Sequence, residues 1–104
     1  MAAVTFVNCF EIPARREDEF FDLWQQVNAY MRAKPGYLGH ALHRALTPDA
    51  AFRFVNAAQW ASAEHFQAAH DEGFRALVTQ PGWAPFRFRP ALYEAVHRAQ
   101  AGTR

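Results

Sequence analysis

Cysteine is nearly missing from this chain: Cys9 stands alone among 104 residues. That excludes an internal disulfide framework and suits a reducing compartment. No apolar run approaches the roughly eighteen residues that a membrane span needs. The N-terminus lacks a basic stretch followed by an apolar run and a cleavage site. The expectation is a cytoplasmic protein with no membrane contact. Excess charge is missing too, since the net value is +1 and the signs are mixed along the chain. Without a basic stripe there is nothing to follow a phosphate backbone, which excludes nucleic acid. Gly36, Gly39, Gly73 and Gly82 are isolated from one another, so no Gly-rich phosphate loop exists.

Metal-ligand spacing is lacking as well. His65 and His70 are five apart, which is not the three- or four-residue spacing of one helix face. His40 and His43 fall on opposite faces of a strand. There is no HExxH pattern and no second cysteine, so no metal site is expected. Cys9 has no recognisable base partner and reads as core packing.

What the chain has in quantity is aromatic surface: 15% of residues, ten of them Phe. At this length the chain reads as one domain, residues 1–104, with a core over about 4–97 and a tail over 98–104. So heavy an apolar load for one modest core points to a subunit interface.

The alternation of Phe52, Phe54, Asn56, Ala58 and Trp60 predicts a strand over 52–60 whose apolar face carries one amide. Ser62 then reads as the N-cap of a helix running to about Val78, with Phe66, His70 and Phe74 in its stripe. Upstream, Thr5–Ile12 reads as a strand closed by Pro13, with a second amide, Asn8, on an apolar face. Glu17–Ala33 is an amphipathic helix, built on Phe20, Trp24, Val27 and Met31 and stopped by Pro35-Gly36. Tyr37–Ala45 is a strand with Leu38, His40 and Leu42 on one face and Tyr37, Gly39, Ala41 and His43 on the other. Phe86–His97 holds a last strand, where Pro90 demands an edge, a bulge or a division.

The order β-α-β-β-α-β predicts an α+β, ferredoxin-like fold: an antiparallel sheet with two helices on one face. Nothing in the chain is left to cover the other face. A homodimer packed through that helix-free face is therefore expected.

The run Phe54-Val55-Asn56-Ala57-Ala58-Gln59-Trp60-Ala61-Ser62, with Lys34-Pro35-Gly36-Tyr37-Leu38 upstream, resembles the antibiotic biosynthesis monooxygenase family. The resemblance extends over about Val4–Val96, including Phe10-Glu11-Ile12-Pro13 and a closing Pro90-Ala91-Leu92-Tyr93-Glu94. It implies a dimeric α+β barrel. It also implies oxidation of an electron-rich phenol, anthrone or quinol to a quinone by dioxygen, with no metal, flavin or other cofactor. On the family's pattern the catalytic set falls on Asn56, Trp60, His43 and Arg75. Substrate contacts fall on Phe54, Phe66, Phe74, Asn8 and Trp24. A family tyrosine six residues past the tryptophan is replaced here by Phe66. Haem-degrading enzymes of the same fold use an Asn on the first strand, where Asn8 stands. They also use a helix histidine near Thr79, and this chain has none there; His70 lies about two turns earlier. A third reading is a non-catalytic dimeric barrel that binds a small aromatic or serves a stress or regulatory role.

Overall fold

A computed structural model describes residues 2–102. Four strands and three helices follow in the order β1 (Val4–Glu11), α1 (Glu17–Met31), β2 (Tyr37–Arg44), β3 (Phe54–Trp60), α2 (Ala63–Ala69), α3 (Glu72–Val78) and β4 (Arg87–Tyr93). A short 3-10 turn, Pro81–Trp83, leads into β4. The sheet is antiparallel throughout, in the order β2-β3-β1-β4. This is the ferredoxin-like α+β arrangement that the element order predicts. Of the expected tail, Thr103 and Arg104 lie outside the described residues.

Pro90 sits in β4 opposite Asn8, on the edge strand, where its missing N–H costs no interior ladder bond. The alternation of β3 holds along its length: Phe54, Asn56, Ala58 and Trp60 are buried and the residues between them are not. Phe20 of α1 is fully buried, stacked on Phe54 at 4.9 Å and tilted against Phe10 at 4.8 Å. Burying such side chains contributes about 1.5–3 kcal/mol each, which fixes α1 across the β1–β3 centre of the sheet.

Two departures from the pattern shape the site. First, β2 does not alternate strictly. Its register against β3 slips between Tyr37 and Gly39. Tyr37 pairs with Trp60 and His40 with Ala58, so both turn toward the helices, while Leu38 is 61% exposed. One extra residue in a strand has this effect, because the side-chain period is two. Second, the helix expected over Ser62–Val78 is two helices. Ser62 caps α2 as anticipated, accepting from the His65 N–H at 3.1 Å. At His70 the backbone leaves the helical region (φ −86°, ψ 62°), and Asp71 starts α3 afresh by accepting from the Phe74 N–H at 3.0 Å. Asp competes for backbone donors and so favours caps over helix interiors.

Gly73 lies three residues past the break. A Cβ there would overlap the Tyr30 hydroxyl, so the missing side chain is what lets α1 and α3 approach. Tyr30 uses that space to donate to Asp71 at 2.6 Å, and Lys34 reaches the other carboxylate oxygen at 2.8 Å.

Candidate functional site

Between the helices and the sheet lies a cavity of about 460 Å³. Its floor is the inward face of the sheet, where Phe6, Asn8, Asn56, Ala58 and Trp60 stand together. Its roof comes from Trp24, Val27, Asn28 and Met31 of α1, and its far wall from Phe66, His70, Phe74 and Val78. Phe88 and Pro90 close the β4 side, which is the more exposed one.

Three amides interrupt this apolar lining, Asn28 from the roof and Asn8 and Asn56 from the floor. Asn8 and Asn56 are direct cross-strand partners, and the Oδ1 atoms of both are buried with no hydrogen-bond donor. Asn56 as a residue is 8% exposed. A buried unsatisfied polar atom costs about 1–3 kcal/mol, so two in one place mark a position made for a donor that arrives from outside.

Trp60 is 2% exposed and held edge-on by Tyr37 (centroids 5.0 Å) and Phe66 (5.8 Å). The Tyr37 hydroxyl is hydrogen-bonded to His40 Nδ1 at 2.6 Å and accepts from Asn28 Nδ2 at 3.2 Å. Burial pushes the Tyr37 phenol above its ordinary pKa, against the opposing pull of Asn28 and Arg32. His40 is exposed and packs edge-on against Trp24, so this chain of hydrogen bonds leads from the cavity wall to the surface.

His70, at the break between α2 and α3, presents its ring to the cavity. Its Nδ1 lies 2.6 Å from the Phe66 carbonyl oxygen. Only a protonated Nδ1 can donate to a carbonyl, so in the neutral ring the lone pair falls on Nε2. The rings of Phe66 and Phe74 pack on either side, at 4.2 and 4.4 Å.

Of the catalytic residues anticipated from the sequence, Asn56 and Trp60 meet in this cavity and the other two do not. His43 pairs with Val55 on the helix-free face and is exposed, because His40 and Leu42 take the inward positions of β2. Arg75 is exposed on α3: it follows the cavity-lining Phe74 by one residue, about 100° around the helix. Among the anticipated substrate contacts, Asn8, Trp24, Phe66 and Phe74 line the cavity. Phe54 does not, since Phe20 covers it. The sequence reading missed Tyr37, hidden by the slip in β2, and His70, read as one more member of a helical stripe. The signal for His70 was the aspartate after it, which can cap a new helix.

The end of α3 offers a haem neither an iron ligand nor a counter-charge. At the end of α3 the wall is Val78, and the Thr79 hydroxyl is committed to the Arg75 carbonyl at 2.7 Å. Among the described residues, neither Lys nor Arg lines the cavity to meet propionates. Among the described residues, no group of three or more His, Cys, Asp or Glu could hold a metal ion, and no helix is long and apolar enough to cross a membrane.

Comparison with solved structures gives the fold a context. A candidate monooxygenase from Shewanella loihica is 29% identical, with a TM-score of 0.81 over 93% of this chain and 97% of that one. SnoaB, a cofactor-independent oxygenase from Streptomyces nogalater, is 27% identical, with a TM-score of 0.78 over 94% and 97%. A variant of MhuD with two manganese protoporphyrin IX molecules bound per active site shares the fold, at 22% identity and a TM-score of 0.72 over 94% and 99%. No curated protein sequence matches the chain. The model of the antibiotic biosynthesis monooxygenase family matches residues 3–80, which include β1 to α3 and most of the cavity wall. The chain belongs to that family.

Proposed function

We propose that the protein is a cofactor-independent monooxygenase that oxidises an electron-rich phenol, anthrone or quinol to a quinone. The observation that carries this reading is the pair of unsatisfied amide oxygens, of Asn8 and Asn56, in an aromatic-walled cavity. A hydroxylated aromatic supplies both what the amides lack and what the walls accept. Trp60 and Phe66 offer the faces and edges against which a planar ring packs.

Triplet dioxygen reacts slowly with closed-shell molecules, whereas an arenolate can give it an electron directly. The protein's task is then to hold the ring, favour its anion and keep bulk water away. The hydroxyl proton leaves first. In a phenol or in the enol of an anthrone, the ring carbon para to that oxygen carries a hydrogen, and this carbon bonds dioxygen to give a peroxide. Transfer of the ring hydrogen to the distal oxygen, with cleavage of the O–O bond, gives the quinone and hydroxide. Hydroxide takes back the first proton as water, so one hydroxyarene and one dioxygen yield one quinone and one water. The Tyr37–His40 hydrogen bond supports proton exchange between cavity and solvent.

The test is oxygen uptake by metal-stripped protein on a panel of anthrones, naphthols and hydroquinones, with Asn56→Ala as control. Uptake that depends on Asn56 and yields a quinone supports the reading. Tight aromatic binding without uptake replaces it with a binding role, and a Soret band on adding haem favours the haem-degrading branch.

The working form in this reading is a homodimer in the cytoplasm. Val7, Cys9, Val55 and Ala57 are half-buried on the face that no helix covers, and a second sheet would complete their burial. Light scattering that finds a monomer at micromolar concentration would remove the dimer.

A further inference from the structure

We infer that His70 is the general base that ionises the aromatic hydroxyl in this cavity; the inference rests on the oxygenase reading above. Three observations converge on it. Among the described residues, His70 and Tyr37 are the titratable groups of the cavity wall, and burial raises the Tyr37 pKa, which keeps that phenol protonated and leaves it no site to take a proton. The Nδ1 bond to the Phe66 carbonyl fixes both the tautomer and the ring plane, leaving the Nε2 lone pair as the proton acceptor. The backbone break at His70, enforced by the Asp71 cap, places the ring at the cavity wall.

The surroundings of His70 are largely aromatic. The rings that pack on His70 are Phe6 of β1, Phe66 of α2 and Phe74 of α3. The adjacent carboxylate, Asp71, is turned to Tyr30 and Lys34. When a hydroxyarene enters, its O–H bond breaks and an N–H bond forms at Nε2. The imidazolium then faces the arenolate it has made, and the apolar wall strengthens that attraction. The same proton returns to the hydroxide released at the end, which restores the neutral ring.

This role belongs to His70 and not to His43, whose ring lies on the other face of the sheet. It also explains how a cavity with Phe66 in place of a hydroxyl-bearing ring retains a proton-transfer group four residues on, in contact with that same phenylalanine.

The variant His70→Asn separates base from scaffold, since the Asn amide N–H can replace Nδ1–H at the Phe66 carbonyl while nothing replaces Nε2. A naphthol is titrated into each protein without oxygen, and its ionisation is read from the red-shifted absorbance of the naphtholate. The wild type is expected to bind the anion, with the probe's apparent pKa lowered by about one unit or more. In His70→Asn the probe binds but stays neutral, and its melting temperature matches the wild type. Oxygen is then admitted with substrates of graded acidity. The variant is expected to lose about 100-fold or more on weakly acidic hydroxyls and little on those already ionised, with partial rescue by added imidazole. A neutral bound probe in the wild type, or equal loss across the acidity series with no rescue, overturns the inference. Ionisation of the probe without any oxygen uptake upholds the base and overturns the oxygenase. Failure to bind any probe overturns both.

Discussion

Asn8 and Asn56 face one another across the β1–β3 ladder, and neither side-chain carbonyl has a donor. A core built for stability alone would place two aliphatic residues there, because each orphaned oxygen is a penalty of about 1–3 kcal/mol. Asn8→Leu and Asn56→Leu are therefore expected to melt no lower than the wild type, and the double substitution higher. Each is expected to lose aromatic binding and oxygen uptake by at least about tenfold. Differential scanning calorimetry beside oxygen-electrode rates checks both halves. A clear fall in melting temperature would mean that the amides are satisfied in solution by ordered water.

Trp60 differs from the amides in serving core and cavity at once. It is 2% exposed and wedged between Tyr37 and Phe66. Trp60→Ala is expected to cost about 3–5 kcal/mol in a denaturant melt. Trp60→Phe keeps the aromatic contact and is expected to cost less, about 1–2 kcal/mol. Loss of binding in Trp60→Phe with the fold intact would assign the indole a role beyond packing.

The division between what the residues reveal and what they hide follows from periodicity. β3 was legible because its inward face alternates without a break from Phe54 to Trp60, and that strand carries half of the amide pair. β1 was legible from its β-branched and aromatic residues closed by Pro13, and α1 from the helical spacing of Phe20, Trp24, Val27 and Met31. The face of β2 was not, because the slip between Tyr37 and Gly39 is marked by nothing stronger than the glycine itself, and a glycine inside a strand does not by itself fix a bulge. The second helix misled because Phe66, His70 and Phe74 keep a four-residue spacing across the break at His70–Asp71. Spacing alone cannot tell one helix from two with a capped junction. The orphaned oxygens were legible only as a question, since whether an amide on an apolar face is satisfied depends on contacts from distant residues.

Gly73 tests the junction between α1 and α3. Intrinsic propensity favours alanine over glycine in a helix by up to about 1 kcal/mol. Here an added Cβ meets the Tyr30 hydroxyl, which the bond to Asp71 holds in place. Gly73→Ala is expected to destabilise the protein despite the better propensity, and Gly73→Ala with Tyr30→Phe to recover part of the loss. A double-mutant cycle measures this, and additive effects would mean that Tyr30 gives way freely.

Asp71 links its pH response to the same junction. Lys34 first, then the Tyr30 hydroxyl and the Phe74 N–H, hold its carboxyl well below the usual carboxylate range, while Asp71 raises the Lys34 ammonium. A carboxylate with a depressed folded pKa contributes stability in full above its unfolded value, about pH 4. That contribution fades as the pH falls toward the folded value. For Lys34 the direction reverses: its share is complete below the unfolded lysine value of about 10.4 and fades as the pH rises through the raised one. Asp71→Asn keeps Oδ1 as acceptor for the Phe74 N–H and the Tyr30 hydroxyl, and removes the charge together with the oxygen that accepts from Lys34. The gap in melting temperature between wild type and variant is expected to be constant between about pH 5 and pH 9. It should narrow as the pH drops below about 4 and the wild-type carboxylate protonates. Because the pair is partly exposed, the gap should also shrink at high salt. A gap that stays constant to the acid limit would show that Asp71 acts through its hydrogen bonds alone, and that the charge on Lys34 adds nothing to the α1–α3 contact.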